Sequence, residues 1–374
     1  MRFPEFSGEW EEHTLSEYLE FKNGLNPDAK RIGSGLPFIS VMDILSEGVI
    51  NYDNIRGKVN ATEKEIECFG VKDGDLLFQR SSETLEDVGR ANVYMDNRTA
   101  IYGGFVIRGR KIGNYDPLFF KYLLATPLAR KRTCRMGAGA QHFNIGQEGL
   151  SKISLYFPSI EEQRKIAGFL SLIDERIATQ NKIIEDLKKL KSAIRKKIFS
   201  LLKDEYTKSF EINQLLDYEQ PTAYIVANDE YSTDTRLTPV LTANKGFILG
   251  YTDEKNGIYQ KGACIIFDDF TMDAKYVSFP FKVKSSAIKI LTAKPNVNLR
   301  FMFEYLSHWE LKSEEHKRHY ISEISPLVIE LPSKEKQNII ALLMTSLNNK
   351  LTIEEKAKIR YEVQKGYLLS QMFI

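Results

Sequence analysis

The sequence predicts an α+β chain built twice: two mostly β halves with short helices, alternating with two long helices that pair antiparallel as a coiled coil, an internal pseudo-two-fold repeat. Three observations carry this expectation. The chain repeats itself in order, a helical seam follows each globular half, and the halves consist of short apolar runs punctuated by turn residues.

The repeat is clearest at Phe157-Pro158-Ser159-Ile160-Glu161-Glu162-Gln163, echoed by Leu331-Pro332-Ser333-Lys334-Glu335-Lys336-Gln337 at an offset of 174 residues. The offset holds through Ile166/Ile340, Ala167/Ala341, Ile177/Leu351, Ile194/Leu368, Ile198/Met372 and Phe199/Phe373, without insertion, as a helix whose register matters would behave. Upstream, Gly74 in Lys72–Phe78 matches Gly262 in Gln260–Phe267, and Phe120-Lys121-Tyr122-Leu123 matches Phe303-Glu304-Tyr305-Leu306. Pro37–Ser40 matches Pro239–Thr242, and Leu15 with Leu19 matches Ile212 with Leu216. The first copy takes 84 residues from shared glycine to shared proline and the second 70, which suits variable loops on a common frame.

Residues 1–156 read as strands and turns, with apolar runs at Leu36–Ile39, Asp75–Phe78 and Ala100–Ile107 bounded by Gly, Asp, Asn and Pro. Asp116-Pro117 reads as a cap with proline at the first helical position, opening a helix to about Ala125. Residues 207–330 repeat the plan, with a helix from near Asn298 carrying Phe301, Phe303, Tyr305 and Leu306.

Ser159 to about Leu202 differs in kind. Ser159 with Glu162 forms a capping-box pattern, and no Pro and no Gly after Gly168 interrupt the run. Apolar residues fall at Ile166, Leu170, Ile173, Ile177, Ile184, Leu187, Ile194, Ile198 and Leu201, a 4-3-4 seam broken only at Gln180 and Lys191. Such a helix is roughly 60 Å long. Ser333 to about Phe373 carries the weaker seam Ile340, Met344, Leu347, Leu351, Tyr361, Leu368 and Met372. Each stripe needs a partner, and the simplest is the other helix, packed antiparallel so that the halves are held apart at opposite ends. The expected organisation is therefore a globular half at 1–158, a long helix at 159–206, a second half at 207–332 and a second helix at 333–374.

Composition bounds the function. The chain has 374 residues, 43% hydrophobic and 27% charged, the balance of a globular protein rather than a disordered one. Cys68, Cys134 and Cys264 lie far apart, which excludes a disulfide scaffold and a zinc ribbon and suits a reducing cytoplasm. No apolar run approaches a membrane span, and Met1–Glu5 lacks a signal-peptide order, so no membrane role is expected.

Catalytic signatures are near misses. There is no G-x-x-x-x-G-K-[ST] cradle for ATP. Gly137–Ala140 leads into polar Gln141-His142 rather than a nucleotide-binding helix, and Asp116-Pro117-Leu118-Phe119 lacks the second proline of an amino-methyltransferase loop. Glu310-Leu311-Lys312 has a nuclease-like spacing without a paired acid, and His308, His316 and His319 cluster without a metal-ligand pattern. The expectation is a chain with no catalytic, cofactor-binding or metal residues of its own.

Charge is placed locally. The total is +2, but residues 1–160 carry 20 basic and 21 acidic residues, 161–203 carry 11 and 6, and 204–374 carry 21 and 23. Within the first half, basic residues gather as Arg108, Arg110, Lys111 and as Arg130, Lys131, Arg132, Arg135. The second cluster precedes a glycine hinge, Gly137–Ala140, and then Gln141, His142 and Asn144, types suited to base edges beside arginines suited to phosphates. Gln79, Arg80, Ser81 and Ser82 form a second polar loop, and Lys312, Lys317, Arg318, His319 and Tyr320 are the counterpart in the second half. These are the candidate DNA contacts.

Taken together, these residues resemble the DNA-specificity (S, or HsdS) subunit of type I restriction–modification systems over essentially the whole chain. The most specific pieces are Phe157–Ala167, similar to the family's P-x-x-E-Q-x-x-I-A helix opening, and its echo Pro332–Ala341; Trp10 with Thr14-Leu15, Gly74–Phe78 and Gly137–Asn144 are similar to target-recognition landmarks. The second copy departs with Asn338-Ile339-Ile340 after Gln337 and with Asp268-Asp269 where the first has Gln79-Arg80. The resemblance implies two target-recognition domains, each reading one half of a bipartite double-stranded DNA site, and helices that set the spacer and dock two methyltransferase (M) subunits. It implies a non-catalytic, cytoplasmic chain without its own cofactor. S-adenosylmethionine, ATP and Mg would belong to the M and the motor/nuclease (R) subunits, and adenine-N6 methylation and ATP-dependent DNA cleavage to the assembled complex. The alternatives are a coiled-coil protein-interaction scaffold, the specificity component of another phage-defence complex, and a nuclease or methyltransferase fused to a coiled coil.

Overall fold

The computed structural model describes residues 1–202, 208–242, 246–309, 311 and 317–373. They form two compact units, Met1–Asn181 with Lys356–Ile374, and Lys182–Glu355. The division falls inside both long helices, Ile160–Leu202 and Lys334–Met372. Each unit therefore holds one globular half with a portion of each long helix.

The first unit is built around a four-stranded antiparallel sheet in the order Leu19–Asn23, Val106–Lys111, Leu76–Gln79, Ala91–Val93. A second sheet runs Gly57–Val59, Ile32–Ile39, Ala100–Tyr102, Gly70–Val71, with one parallel pairing, Phe38 against Ile101. Glu11–Thr14 pairs with Ser154–Phe157 to close the unit before the first long helix. The run Ala100–Ile107, expected as one strand, forms two that enter different sheets. The chain turns between them at Gly103-Gly104-Phe105, where the Val106 N–H donates to the Gly103 carbonyl at 2.9 Å.

The second unit repeats this topology. Its main sheet runs Leu216–Glu219, Ile288–Ala293, Cys264–Asp268, Ala274–Val277, and a smaller sheet pairs Thr238–Leu241 in parallel with Lys282–Val283. Lys208–Glu211 with Val328–Leu331 repeats the closing pair. The shared glycines have φ of +82° (Gly74) and +100° (Gly262), a left-handed turn that other residues resist, so the repeat keeps glycine there.

The helices Pro117–Ala125 and Leu299–His308 start as expected. Asp116 caps Pro117–Ala125 by accepting from the Phe119 N–H at 2.8 Å, and Asn298 caps Leu299–His308 by accepting from the Arg300 and Phe301 N–H groups. Each helix is then tied to a long helix by a buried glutamine. Gln163 accepts from the Asp116 N–H at 3.1 Å and donates to the Pro158 carbonyl at 3.0 Å; Gln337 accepts from the Asn298 N–H at 2.8 Å and donates to the Pro332 carbonyl at 2.9 Å. The repeated Pro-Ser-x-x-x-Gln spacing thus carries a bracket that holds the capped short helix to the long helix.

The expected capping box at Ser159 is only half formed. The Glu162 N–H donates to Ser159 Oγ at 3.4 Å, but the buried Glu162 carboxylate turns to Arg2, with two N–H···O bonds at 2.8 and 2.7 Å. In the first unit the seam residues Ile166, Leu170, Ile173 and Ile177 pack with Leu368 and Met372 in a core that includes Trp10, Phe119 and Phe157. In the second, Ile194, Ile198 and Leu347 pack with Ile340 and Met344. The pairing of early residues of one helix with late residues of the other makes the two antiparallel within each unit. Ile184 and Leu351 are buried, and Leu187 and Tyr361 half-buried. Leu201 departs from the seam: it is exposed, and Phe199 and Leu202 take the buried positions, because a 3.6-residue turn drifts against a 3.5-residue repeat.

Candidate nucleic-acid interface

Two loops read separately in the sequence meet in the first unit. Ser81–Ser82 pairs antiparallel with Phe143–Asn144, and the Ser81 hydroxyl donates to Asn144 Oδ1. The Arg80 N–H donates to the Phe105 carbonyl at 2.9 Å, the Ile145 N–H donates to the Arg80 carbonyl at 3.0 Å, and the Arg80 guanidinium reaches the Gly104 carbonyl at 3.3 Å. The expected flexible hinge at Gly137–Ala140 is instead a closed hairpin, in which Ala138 and Asn144 exchange both backbone bonds at 2.9 Å. Gly139, at φ +143°, lies where any Cβ would collide with the His142 carbonyl. Gln141, His142 and Asn144 are exposed on this hairpin.

Gln79 ends its strand buried, donating from Nε2 to the Ser81 carbonyl at 2.9 Å, while its Oε1 is buried without a hydrogen-bond partner. It lines a cleft of about 580 Å³ with Ser81, Ser82 and His142, and with Met42 and Phe105, which sequence reasoning missed. The only signal for Phe105 was the Gly103-Gly104 pair before it, inside a run that read as a continuous strand.

The basic cluster divides. Arg130 donates to the Glu86 and Val88 carbonyls at 2.9 and 2.6 Å, and burial pushes its pKa below the ordinary arginine value. Arg132 pairs with Glu12 at 2.8 Å, donates to the Ser154 carbonyl and hydroxyl, and lies over the Tyr156 ring. Both guanidinia brace the unit's own frame. Lys131 and Arg135 are exposed. Arg108 and Arg110 likewise donate inward, both to the Gly70 carbonyl, at 2.7 and 2.6 Å, and Lys111 donates to the Tyr115 carbonyl at 2.8 Å.

In the second unit the equivalent frame recurs with other side chains. The Asp269 N–H donates to the Ala287 carbonyl at 2.8 Å, and the His319 N–H donates to the Asp269 carbonyl at 2.9 Å, repeating the bonds of Arg80. Asp269 is buried, accepting from the Tyr320 N–H at 2.8 Å and pairing with buried Lys289 at 3.3 Å. His319 and Tyr320 are buried rather than presented: His319 Nδ1 lies 2.7 Å from Glu323, and Tyr320 packs on Tyr218 and Phe267. Lys317, half exposed, pairs with the same Glu323 at 2.9 Å, and Arg318, also half exposed, lies 3.9 Å from Asp269. Lys312, with Glu310 and His316, lies outside the described residues. Among the described residues no His/Cys/Asp/Glu group is arranged to hold a metal ion, and no helix is long and apolar enough to cross a membrane.

One backbone frame repeated with different side chains defines a tandem-repeat protein of two equivalent units. The chain belongs to the type I restriction modification DNA specificity domain family (Methylase_S), whose model matches residues 7–189 and 204–363. It is 39% identical over 178 residues to the EcoR124I/EcoR124II specificity subunit of Escherichia coli, a match covering 42% of this chain and 43% of that relative. It is 23% identical over 402 residues to the putative MjaX specificity subunit of Methanocaldococcus jannaschii, covering 98% of this chain and 93% of the relative. Its fold is similar to the crystal structure of a type I restriction–modification S subunit from M. genitalium, with TM-score 0.66, 16% identity, and 98% and 96% of the two chains covered.

Proposed function

We propose that this chain is the specificity subunit of a type I restriction–modification complex, in which each unit reads one half of a bipartite duplex site. The observation that carries this reading is the pair of equivalent frames. Arg80 and Asp269 occupy the same backbone bonds, so the frame is constant while the side chains it carries differ. Half-sites read from one face of a duplex lie about 34 Å apart per helical turn, so helices of 43 and 39 residues are long enough to act as a spacer.

The same reading assigns the docking of two methyltransferase subunits to the long helices, where Phe169 and Leu343 stand at equivalent positions and are both exposed. S-adenosylmethionine would be held by those subunits, and ATP and Mg by motor/nuclease subunits. The chain itself would do no chemistry and would work in the cytoplasm. Replacing residues 1–156 with a recognition domain of different specificity is expected to change one half of the methylated adenine motif and leave the other half and the spacer as they were. Genome-wide mapping of adenine methylation reads this out, and an unchanged motif would sink the proposal.

Within the basic cluster the expected effects separate. Lys131→Ala and Arg135→Ala should weaken DNA binding evenly across sequences and each reduce the salt slope by about 1. Arg132→Ala should lower the thermal midpoint instead, since it removes an ion pair and two bonds to Ser154. Titrations at several salt concentrations, with a melting curve for each variant, distinguish the two groups.

A further inference from the structure

The cleft beside the Ser81–Asn144 pairing has a composition that selects its occupant. Phe105 is 69% exposed and Met42 68%, and both line the cleft whose inner wall includes Gln79. Neither is a loose ornament. Phe105 is held in a tight turn, its carbonyl bonded by the Arg80 N–H at 2.9 Å. Met42 sits on a short helix, Val41–Ile44, capped by Ser40 and buried Asp43, whose carboxylate accepts from the Ser40 N–H at 2.7 Å.

The lining has no lysine or arginine among the described residues but includes Glu83 and Asp87, so it repels phosphate and is unsuited to the DNA backbone. An apolar ledge that repels phosphate suits an apolar group on a base edge in the major groove, and thymine alone among the standard bases offers a methyl there.

We infer that Phe105, with Met42, reads a thymine methyl group in the half-site of the first unit. This rests on the DNA-reading function proposed above and names a contact within it. The equivalent turn of the second unit has Ala287 in place of Phe105, so the contact belongs to one half-site only.

The test uses the full chain assembled with its methyltransferase subunit and a duplex carrying its mapped target, with each thymine replaced in turn by deoxyuridine, which lacks the methyl. One replacement should weaken wild-type binding about fourfold, the scale of one buried methyl. Phe105→Ala should weaken binding to the unmodified duplex similarly and be indifferent to that same replacement, while responding like wild type to every other. Phe105→Leu, which keeps an apolar surface, should retain part of the sensitivity and controls for folding. Wild-type indifference to all deoxyuridine replacements, or unchanged sensitivity in Phe105→Ala, overturns the inference while leaving the specificity function intact. A complex with no sequence preference overturns both.

Discussion

Replacing Glu304 with leucine is expected to cost the second unit about 3–5 kcal/mol, the penalty of removing one partner from a buried ion pair. Glu304 is fully buried on the helix Leu299–His308, where it accepts from Arg195 of the first long helix at 2.6 Å and from Asn348 Nδ2 of the second at 3.3 Å, with Arg300 3.8 Å away. Leucine would leave the Arg195 guanidinium facing an apolar side chain. The chain's two tryptophans serve as reporters, since Trp10 lies in the first unit and Trp309 in the second. In a Trp10→Phe background, the urea midpoint of Trp309 emission should fall well below that of the parent, and adding Arg195→Leu should recover part of the loss. An unshifted midpoint would show that the pair contributes nothing.

The equivalent junction of the first unit has the opposite charge. Lys121 occupies the place of Glu304, and burial pushes its pKa down to about 8 while Asp174 pulls it back up. Asp174 accepts from the Tyr122 hydroxyl at 2.8 Å and pairs with Lys365 at 2.6 Å, and its equivalent at the 174-residue offset is Asn348. The same site is thus cationic on one short helix and anionic on the other, with the long helices changed to match. A frame copied twice has diverged in sign where a buried charge must find a partner, because an unmatched charge there is far more costly than a changed surface residue.

Much of this frame was legible in the sequence. Gly74 and Gly262 marked the same left-handed turn, and Asp116 and Asn298 marked helix starts, because backbone demands of that kind are local. The site was legible only in part. Gln79–Ser82 and Gln141–Asn144 could be read as polar loops, but their pairing is a long-range register that no local pattern encodes. Arg130 and Arg132 looked like phosphate ligands because of their charge, yet their long stems reach carbonyls and carboxylates of their own unit. His319 and Tyr320 looked like a rim and face the interior, where their N–H groups donate to the Asp269 carbonyl and carboxylate. Phe105 and Met42 went unread for the converse reason: apolar residues are presumed buried, and exposure is settled by the turn that presents them.

Gln163→Leu is expected to cost the first unit roughly 2–4 kcal/mol, because it orphans a donor and an acceptor that no water replaces cheaply. The Asp116 N–H and the Pro158 carbonyl are 42 residues apart in sequence and meet only through this amide, which is 2% exposed. Gln163→Glu separates the two bonds. A carboxylate still accepts from the Asp116 N–H but cannot donate to the Pro158 carbonyl, so its cost should remain substantial. Trp10 emission during urea unfolding, in a Trp309→Phe background, reads both variants. If Gln163→Leu unfolds at the parent's midpoint, the bracket is not what holds the helix Pro117–Ala125. If it falls as expected, the matching Gln337→Leu should lower the Trp309 transition by a similar amount, since its two bonds, at 2.8 and 2.9 Å, are the same two bonds in the other copy.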